Sequence, residues 1–427
     1  MENIKANTVI VGSGVAGLIC ALTLPSSMKV ILLTKQKLED SNSYLAQGGI
    51  AVKNGFGDKD SFISDTLKAG HYKNNFKAVE TLVEESPKAI KSLEELGVKF
   101  ESEEGDYSYT REGGHSKNRI LYCGDFTGKA IMNALIAQVK ERKNIRILED
   151  CTMEDLLVKN GVCYGVYGVA NNKGLFINGK STVIASGGIG GIYNNTTNYK
   201  HIQGDGVALA LKHNIKLKDL SYIQIHPTAL YENTRKRRFL ISESVRGEGA
   251  ILLNKNKDRF IDELKPRDIV SKAIIREMEK DKVEFQWLRM NLIEKDIRTR
   301  FPKIYEYLRK IGLNPYIDDI PIVPAQHYTM GGIEVNLNGE TSMPGLFAIG
   351  EASCTGVHGK NRLASNSLLE SVVFSKKTAD FIKNITKEEV NINDFQIGVS
   401  NLEKKKDIIK EGIKNDEFTK IKLLNNR

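Results

Sequence analysis

The residues that could do chemistry fall in short, separated stretches. "YIQIHPTALYE" puts Gln224 and His226 at alternating positions, so both face one side of a strand that Pro227 is expected to end. "LISESVRGEGAIL" sets Ser242, Glu243 and Arg246 at helical spacing before Gly247 and Gly249 stop the helix. Arg267 follows Pro266 at the start of an apolar helix, His327 precedes Gly331-Gly332, and Arg362 stands at the start of a helix of small residues. Each has an ordinary alternative: a core histidine, a capped helix, a surface arginine. Together they bring several cations and few spare carboxylates. That composition suits a small dicarboxylate, because a guanidinium grips a carboxylate at two points and holds its charge at any ordinary pH. One stretch departs from the pattern. "TREGGHSKNRI" places Glu112 among Arg111, His115, Lys117 and Arg119, around the glycine pair Gly113-Gly114 of a tight loop. Taken alone, such a loop reads as a solvated surface turn.

These residues need a frame, and the first strand supplies its beginning. Thr8–Val11 is a continuous β-branched run of the kind a buried parallel strand needs. Gly12-Ser13-Gly14-Val15-Ala16-Gly17 follows, then an apolar helix to Leu24 and a second strand, "KVILLTK". This β-turn-α-β order opens a doubly wound sheet that binds a dinucleotide. Gly12 permits the tight turn, Gly14 admits the pyrophosphate, Gly17 lets the helix pack close, and the helix N-terminus offers free N–H groups. The second strand lacks the acidic residue that holds ribose hydroxyls in NAD sites. Thr34-Lys35 stands there, which argues against an ordinary NAD site and leaves FAD open.

Further signals come late. "SNSYLAQGGIAV" offers backbone to a flat ligand around Gln47-Gly48-Gly49, a hairpin turn being the alternative. "STVIASGGIGGIYNNTTN" is a strand with a Gly-rich turn, "GDGVALALK" opens a helix, "PGLFAIGEAS" is a late strand, and "NRLASNSLLESVVF" opens another helix. Nucleotide-binding parts at both ends predict an α/β, Rossmann-like FAD-binding domain that is discontinuous. It would cover residues 1–218 and 329–390, with an α+β capping domain inserted at 219–328 and a short helical segment at 391–427.

Composition narrows the class. The chain has 427 residues, 41% apolar and 27% charged, and a formal net charge of +9. Its length suggests two or three domains with enough apolar surface for a sizeable core. Much of the positive charge lies in helix-like segments such as "KAIKSLEELGVK" and "NLEKKKDIIKEGIK", which read as solvated faces. No aromatic-rich basic module appears, so nucleic acid is not an expected partner. No run of about 18 apolar residues predicts a membrane span, and the N-terminal stretch lacks the order of a signal peptide. Five scattered cysteines without a C-x-x-C argue against a disulfide framework or metal site and for a reducing cytoplasm.

The motifs "VGSGVAGL", "AQGGIAV", "TREGGHS", "ASGG", "GDG", "QIHPTAL", "ESVRGEGA", "PRDIV", "HYTMGGI", "GEAS" and "NRLASNSLLE" occur in order over about residues 8 to 375. In this the chain resembles the flavoprotein subunits of the succinate dehydrogenase and fumarate reductase family, and within it the aspartate-oxidising branch. The resemblance implies that Gly12, Ser13, Gly14, Val15, Ala16 and Gly17 hold the FAD pyrophosphate. Lys35 and Asn42, Ser43, Tyr44, Leu45, Ala46, Gln47, Gly48 and Gly49 would run along the cofactor. Thr152 and Met153 match positions near its adenine end, and Asp205, Glu351, Ser367 and Leu368 match further contacts. His226, Ser242, Glu243, His327 and Arg362 match positions that grip the two carboxylates, with Gln224 beside them. Arg267 matches the proton-transfer arginine, a role that needs a relay or a shifted site because arginine has a pKa above about 12.

Two positions select the branch. The dehydrogenases usually carry a histidine bonded to the flavin where this chain has Asn42, so FAD is expected to be noncovalent. Glu112, in place of an apolar residue before the glycine pair, would read the ammonium of L-aspartate and reject succinate. The implied reaction is oxidation of L-aspartate to iminoaspartate with oxygen or fumarate as acceptor, the first step of quinolinate and NAD synthesis. A quinolinate synthase would consume the product. The alternative is a soluble fumarate reductase or succinate dehydrogenase flavoprotein. Longer members of the branch end in a helical domain of roughly a hundred residues or more; the few dozen residues after the last motif here are expected to form a shortened version, one or two helices.

Overall fold

A computed structural model describes residues 2–233 and 236–385, together with Phe395 and Ile409. The segment expected to be helical at 391–427, with its charged "NLEKKKDIIKEGIK", lies outside the described residues but for those two.

The run of β-branched residues forms the strand Glu2–Val11, whose last four residues are fully buried, as a strand covered on both faces must be. It is the centre of a seven-stranded sheet. On one side it pairs in parallel with Val30–Leu33, and that strand with Ile145–Leu148. On the other side it pairs in parallel with the long strand Lys173–Ile184. Lys173–Ile184 carries two neighbours along one edge. Its start pairs with the antiparallel meander Val162–Ala170 and Cys151–Lys159, and its end pairs in parallel with the late strand Leu346–Ala348. The helices Val15–Thr23, Thr127–Glu141 and Asn366–Ile382 lie against this sheet, joined in one apolar cluster that includes Leu18, Met132 and Leu369.

A second sheet has four strands, ordered Ile223–Leu230, Ile320–Thr329, Gln286–Arg289 and Ile251–Leu253. With the helices Arg267–Asp281 and Pro302–Lys310 it encloses a separate apolar cluster of residues between Leu230 and Ile322. Asp125 ties the two bodies of structure together: its carboxylate accepts from the backbone N–H of Lys303 (3.1 Å) and Ile304 (2.8 Å), capping the helix Pro302–Lys310 from outside it.

Two local expectations need correction. Pro227 does not end its strand, which continues to Leu230. The proline is tolerated because the ladder slips there: His226 pairs with Ala325 and Ala229 with Val323, so two residues oppose one and no ladder N–H is demanded of the proline. Arg362 does not open a helix. The helix begins at Asn366, after Ser365 in a left-handed conformation (φ 62°), and Arg362 lies in the connection before it.

Candidate active site

A cavity of about 410 Å³ runs from the sheet edge to the second sheet. One end is built by the first turn. Gly12 has φ +114°, and a Cβ there would overlap the Ala185 carbonyl, so only glycine fits. A Cβ on Gly17 would overlap the Gly12 carbonyl oxygen, which is the close helix–strand packing expected of that position. Gly12, Ser13, Gly14 and Ala16 line the cavity; Val15 and Gly17 do not, the one pointing into the core and the other against the turn. Ser13 Oγ hydrogen-bonds with Thr34 Oγ1 at 2.9 Å. Lys35 lines the wall and forms an ion pair with Asp205 at 2.9 Å, so the acidic group missing from the second strand arrives from the helix Asp205–Lys212. Met153 lines the cavity and Thr152 does not, because alternation along the strand Cys151–Lys159 turns the threonine to the other face.

The next section of wall is the stretch Asn42, Ser43, Tyr44, Leu45, Ala46, Gln47, Gly48 and Gly49. Asn42 is fixed at both ends of its amide. Its Nδ2 donates to Asn198 Oδ1 (2.8 Å) and its Oδ1 accepts from the Tyr199 N–H (3.0 Å). Glu351, Ser367 and Leu368 complete this part. Two polar atoms of lining residues, Gln47 Oε1 and Ser186 Oγ, are buried without a partner among the described residues. Unpaired buried acceptors and donors are costly. Ser186 lies beside the first glycine turn and Gln47 precedes the Gly48-Gly49 pair, places that fit a bound dinucleotide such as FAD.

The far end gathers the chemical residues. His226, His327, Arg267, Arg362, Ser242, Glu243 and Glu112 all line it. Both histidines sit beside bulges. Gln224 pairs with Tyr328 and Ile225 with Gln326, which leaves His327 as the extra residue of its strand. Bulges re-aim side chains in this way next to functional sites, and the two rings meet edge to face with centroids 5.1 Å apart. His226 Nδ1 accepts from the Thr228 N–H (3.2 Å), so its proton is on Nε2. Arg267 pairs with Glu243, which also neighbours Arg246 at 3.4 Å. Ser242 caps the short helix Glu243–Gly247 that presents this glutamate.

Gln224 stands behind the wall and joins the two arginines. Its Oε1 accepts from Arg267 Nη1 (3.0 Å) and Arg362 Nε (3.1 Å), while its Nε2 donates to Asn361 Oδ1 (2.9 Å) and the Arg362 carbonyl (2.8 Å). Every hydrogen-bonding position of the amide is used, so the spacing of the two guanidiniums is fixed. Glu112 is 4% exposed. Ser244 Oγ donates to one of its oxygens (2.9 Å) and Ser365 Oγ to the other (2.7 Å). The loop is therefore no solvated turn. Its glycines serve close approach: a Cβ on Gly113 would overlap Glu243 Oε1, and Gly114 has φ +85°.

The electrostatics follow from burial in a cationic pocket. Burial and the neighbouring Arg267 hold both His226 and His327 well below the usual imidazole range. Both are neutral hydrogen-bonding groups at ordinary pH. Burial works against ionising Glu243, but Arg267 and Arg246 outweigh it and its carboxyl titrates below its ordinary value. Arg362 is drawn down to about 10 by burial and by Arg267. Burial pushes Glu351 up to about 7.

Several contributors were not singled out from sequence. Tyr328 lies under Arg362, whose guanidinium carbon is 4.7 Å from the ring centroid. Thr197 Oγ1 lies 2.8 Å from His327 Nδ1, and Asn198 Nδ2 donates to the His327 carbonyl (2.8 Å). Ser244 and Ser365 hold Glu112. Tyr328, Ser365, Thr197 and Asn198 all fall inside quoted stretches, but Thr197 and Asn198 stand in the polar end of theirs, which carries no signature of its own.

A family model described as FAD binding domain matches residues 7–368. Among solved structures, E. coli quinol fumarate reductase superposes with a TM-score of 0.85 at 29% identity, over 99% of this chain and 77% of that one. Mycobacterium smegmatis Sdh1 gives 0.78 at 28% identity, over 91% and 70%. The chain belongs to the FAD-dependent flavoprotein family of succinate dehydrogenase and fumarate reductase. Within that family its relatives include L-aspartate oxidases: that of Clostridium perfringens is 51% identical over 88% of this chain and 86% of its own length, and that of Clostridium acetobutylicum 48% identical over 92% of each. The Bacillus subtilis enzyme is 39% identical over 88% of this chain and 72% of its own. Among the described residues no helix is long and apolar enough to cross a membrane.

Proposed function

We propose that the chain oxidises L-aspartate to iminoaspartate with FAD as its redox group, passing electrons to oxygen or fumarate, as the first step of NAD synthesis through quinolinate. The observation that carries this reading is Glu112. It puts a second buried carboxylate, one that among the described residues has no arginine partner like that of Glu243, into a pocket walled by Arg267, Arg362 and two neutral histidines. A dicarboxylate alone needs the cations. A dicarboxylate with an α-ammonium needs Glu112 as well.

FAD, held by the glycine turn, Lys35, the stretch from Asn42 to Gly49, Met153, Asp205, Glu351, Ser367 and Leu368, supplies the hydride acceptor when bound. The protein supplies orientation and charge. Arg362 and Arg267, spaced by Gln224, grip the carboxylates with His226, His327 and Ser242 donating beside them, and orientation of this kind contributes several kcal/mol or more. Arg267 is the proton-transfer residue of the family match. A guanidinium gives up a proton only where a relay returns one, and Glu243, an ionised carboxylate in contact with both Arg267 and Arg246, is placed to take up a proton and hand it on. Asn42 offers no nucleophile, which supports a noncovalent flavin.

We read residues 1–218 and 329–390 as the FAD-binding domain and 219–328 as its cap, a division supported by the separate apolar core of the second sheet. The five cysteines are buried and form no disulfide, as suits a reducing cytoplasm. The imine product hydrolyses readily, so a quinolinate synthase is the functional partner; contact between the two is no part of the proposal.

The test uses the purified yellow protein without oxygen. L-Aspartate should bleach the flavin absorbance and succinate should not, and denaturation should release FAD from the chain. Bleaching by succinate alone would move the protein to the dehydrogenase branch.

A further inference from the structure

The loop that carries Glu112 is pinned at three places. Its base is closed by a bridge in which the Thr110 and Ile120 N–H groups donate to each other's carbonyls (3.0 and 3.1 Å). Beneath it lies Arg119, fully buried. Nε and Nη2 of that arginine donate to Asp58 (3.0 and 2.8 Å), and Nη1 donates to Asp65 (2.6 Å) and to His115 Nδ1 (3.0 Å). The third pin is sideways: His115 Nε2 lies 2.9 Å from the carbonyl oxygen of Ala364.

The tautomer of His115 follows from its partners. A guanidinium can only donate, so Nδ1 accepts and the single proton is on Nε2, which donates to Ala364. Burial keeps the ring neutral, with a pKa of about 4. Ala364 precedes Ser365, whose hydroxyl holds Glu112, and follows the segment of Arg362 by two residues. His115 itself does not line the cavity.

We propose that His115 is the positioning residue for amino-acid selectivity: through its bond to Ala364 it registers the loop of Glu112 against the segment of Arg362. The site then measures the spacing of an α-ammonium from a carboxylate. This inference rests on Glu112 being the ammonium reader. Arg362 has holders of its own in Gln224, Ser367 (2.9 Å) and the Tyr328 ring. Glu112 keeps Ser244, but its other holder, Ser365, follows directly on the Ala364 carbonyl that His115 fixes, so losing the His115 bond loosens Glu112 and leaves the carboxylate grip.

Two isosteric variants separate the contacts of His115. Asparagine places an acceptor near Nδ1 and keeps the partner of Arg119, but does not reach Ala364. Glutamine places a donor near Nε2 and keeps the tie to Ala364. Both are assayed for kcat/KM with L-aspartate and oxygen, and for fumarate reduction with a reduced viologen dye. Flavin content and Tm are checked on each.

His115→Asn should lower the aspartate-to-fumarate ratio about tenfold, mostly through KM for aspartate, the size of one lost buried hydrogen bond. His115→Gln should hold the ratio within about threefold of wild type. An unchanged ratio in the Asn variant overturns the proposal, as does an equal fall in the Gln variant. Wild-type protein that does not oxidise aspartate would overturn the functional reading instead.

Discussion

At the scale of residues, the site is a problem of charge balance. Three buried arginines crowd it: Arg267 touches both Glu243 and Gln224, Arg246 neighbours Glu243, and Arg362 bonds Gln224. A substrate with two carboxylates completes that balance, and its ammonium needs Glu112. Glu112→Gln keeps the shape and one serine contact as it stands, turns the other into one that the new amide N–H must donate, and removes the charge. Breaking a buried pair by removing one partner costs about 3–5 kcal/mol, or two or more powers of ten in kcat/KM for aspartate. Fumarate, which has no ammonium, should be reduced at close to the wild-type rate. Steady-state measurement of the two activities checks this, and equal loss of both would show that Glu112 supports the pocket without reading the amine.

At the scale of elements, the parts legible in the sequence were those whose signal is local. The β-branched run, the glycine turn and the helix after it are written within about twenty residues, and the structure places them as expected. The bulges were not legible. They depend on the register between strands about a hundred residues apart, so Pro227 read as a stop and His327 gave no sign of being the extra residue of its strand. The Arg119 cage was hidden for the same reason: Asp58, Asp65 and Arg119 meet only after the chain has folded. Arg362 was misplaced onto a helix because small residues follow it, whereas Ser365 in a left-handed conformation delays the helix to Asn366. The glycine turn yields an element-scale prediction. In Gly17→Ala the new Cβ would overlap the backbone oxygen of Gly12, which cannot swing aside as a side chain could. The helix Val15–Thr23 must then retreat from the turn. The variant should purify with little flavin and bind added FAD weakly by fluorescence quenching, and full flavin content would show that this close packing does not set the cofactor site.

At the scale of the whole molecule, the buried histidines make stability depend on pH. His115, His226, His327 and His201 all titrate below the ordinary imidazole value, in each case first because of burial. In the unfolded chain they return to about 6.5. Below that pH the unfolded state takes up protons on these histidines that the folded state resists. Glu351 works the other way: folded, it keeps its proton up to about 7, and unfolded it releases it down to its ordinary 4.5. The several protons that the histidines gain outnumber the one that Glu351 loses, so unfolding takes up protons between roughly pH 6.5 and 4.5. Stability rises with pH wherever the unfolded state binds more protons, so it should fall as the medium is acidified through this window. Below it, the depressed carboxyls of Asp58, Asp155, Glu243 and Glu370 push in the same direction. Substrate-free protein should therefore show a Tm that is level near pH 7 to 8 and drops steadily from pH 6.5 to 5. A Tm that holds or rises over that range would mean that the histidines are charged within the fold, and with them the neutral donors assigned to the carboxylate grip.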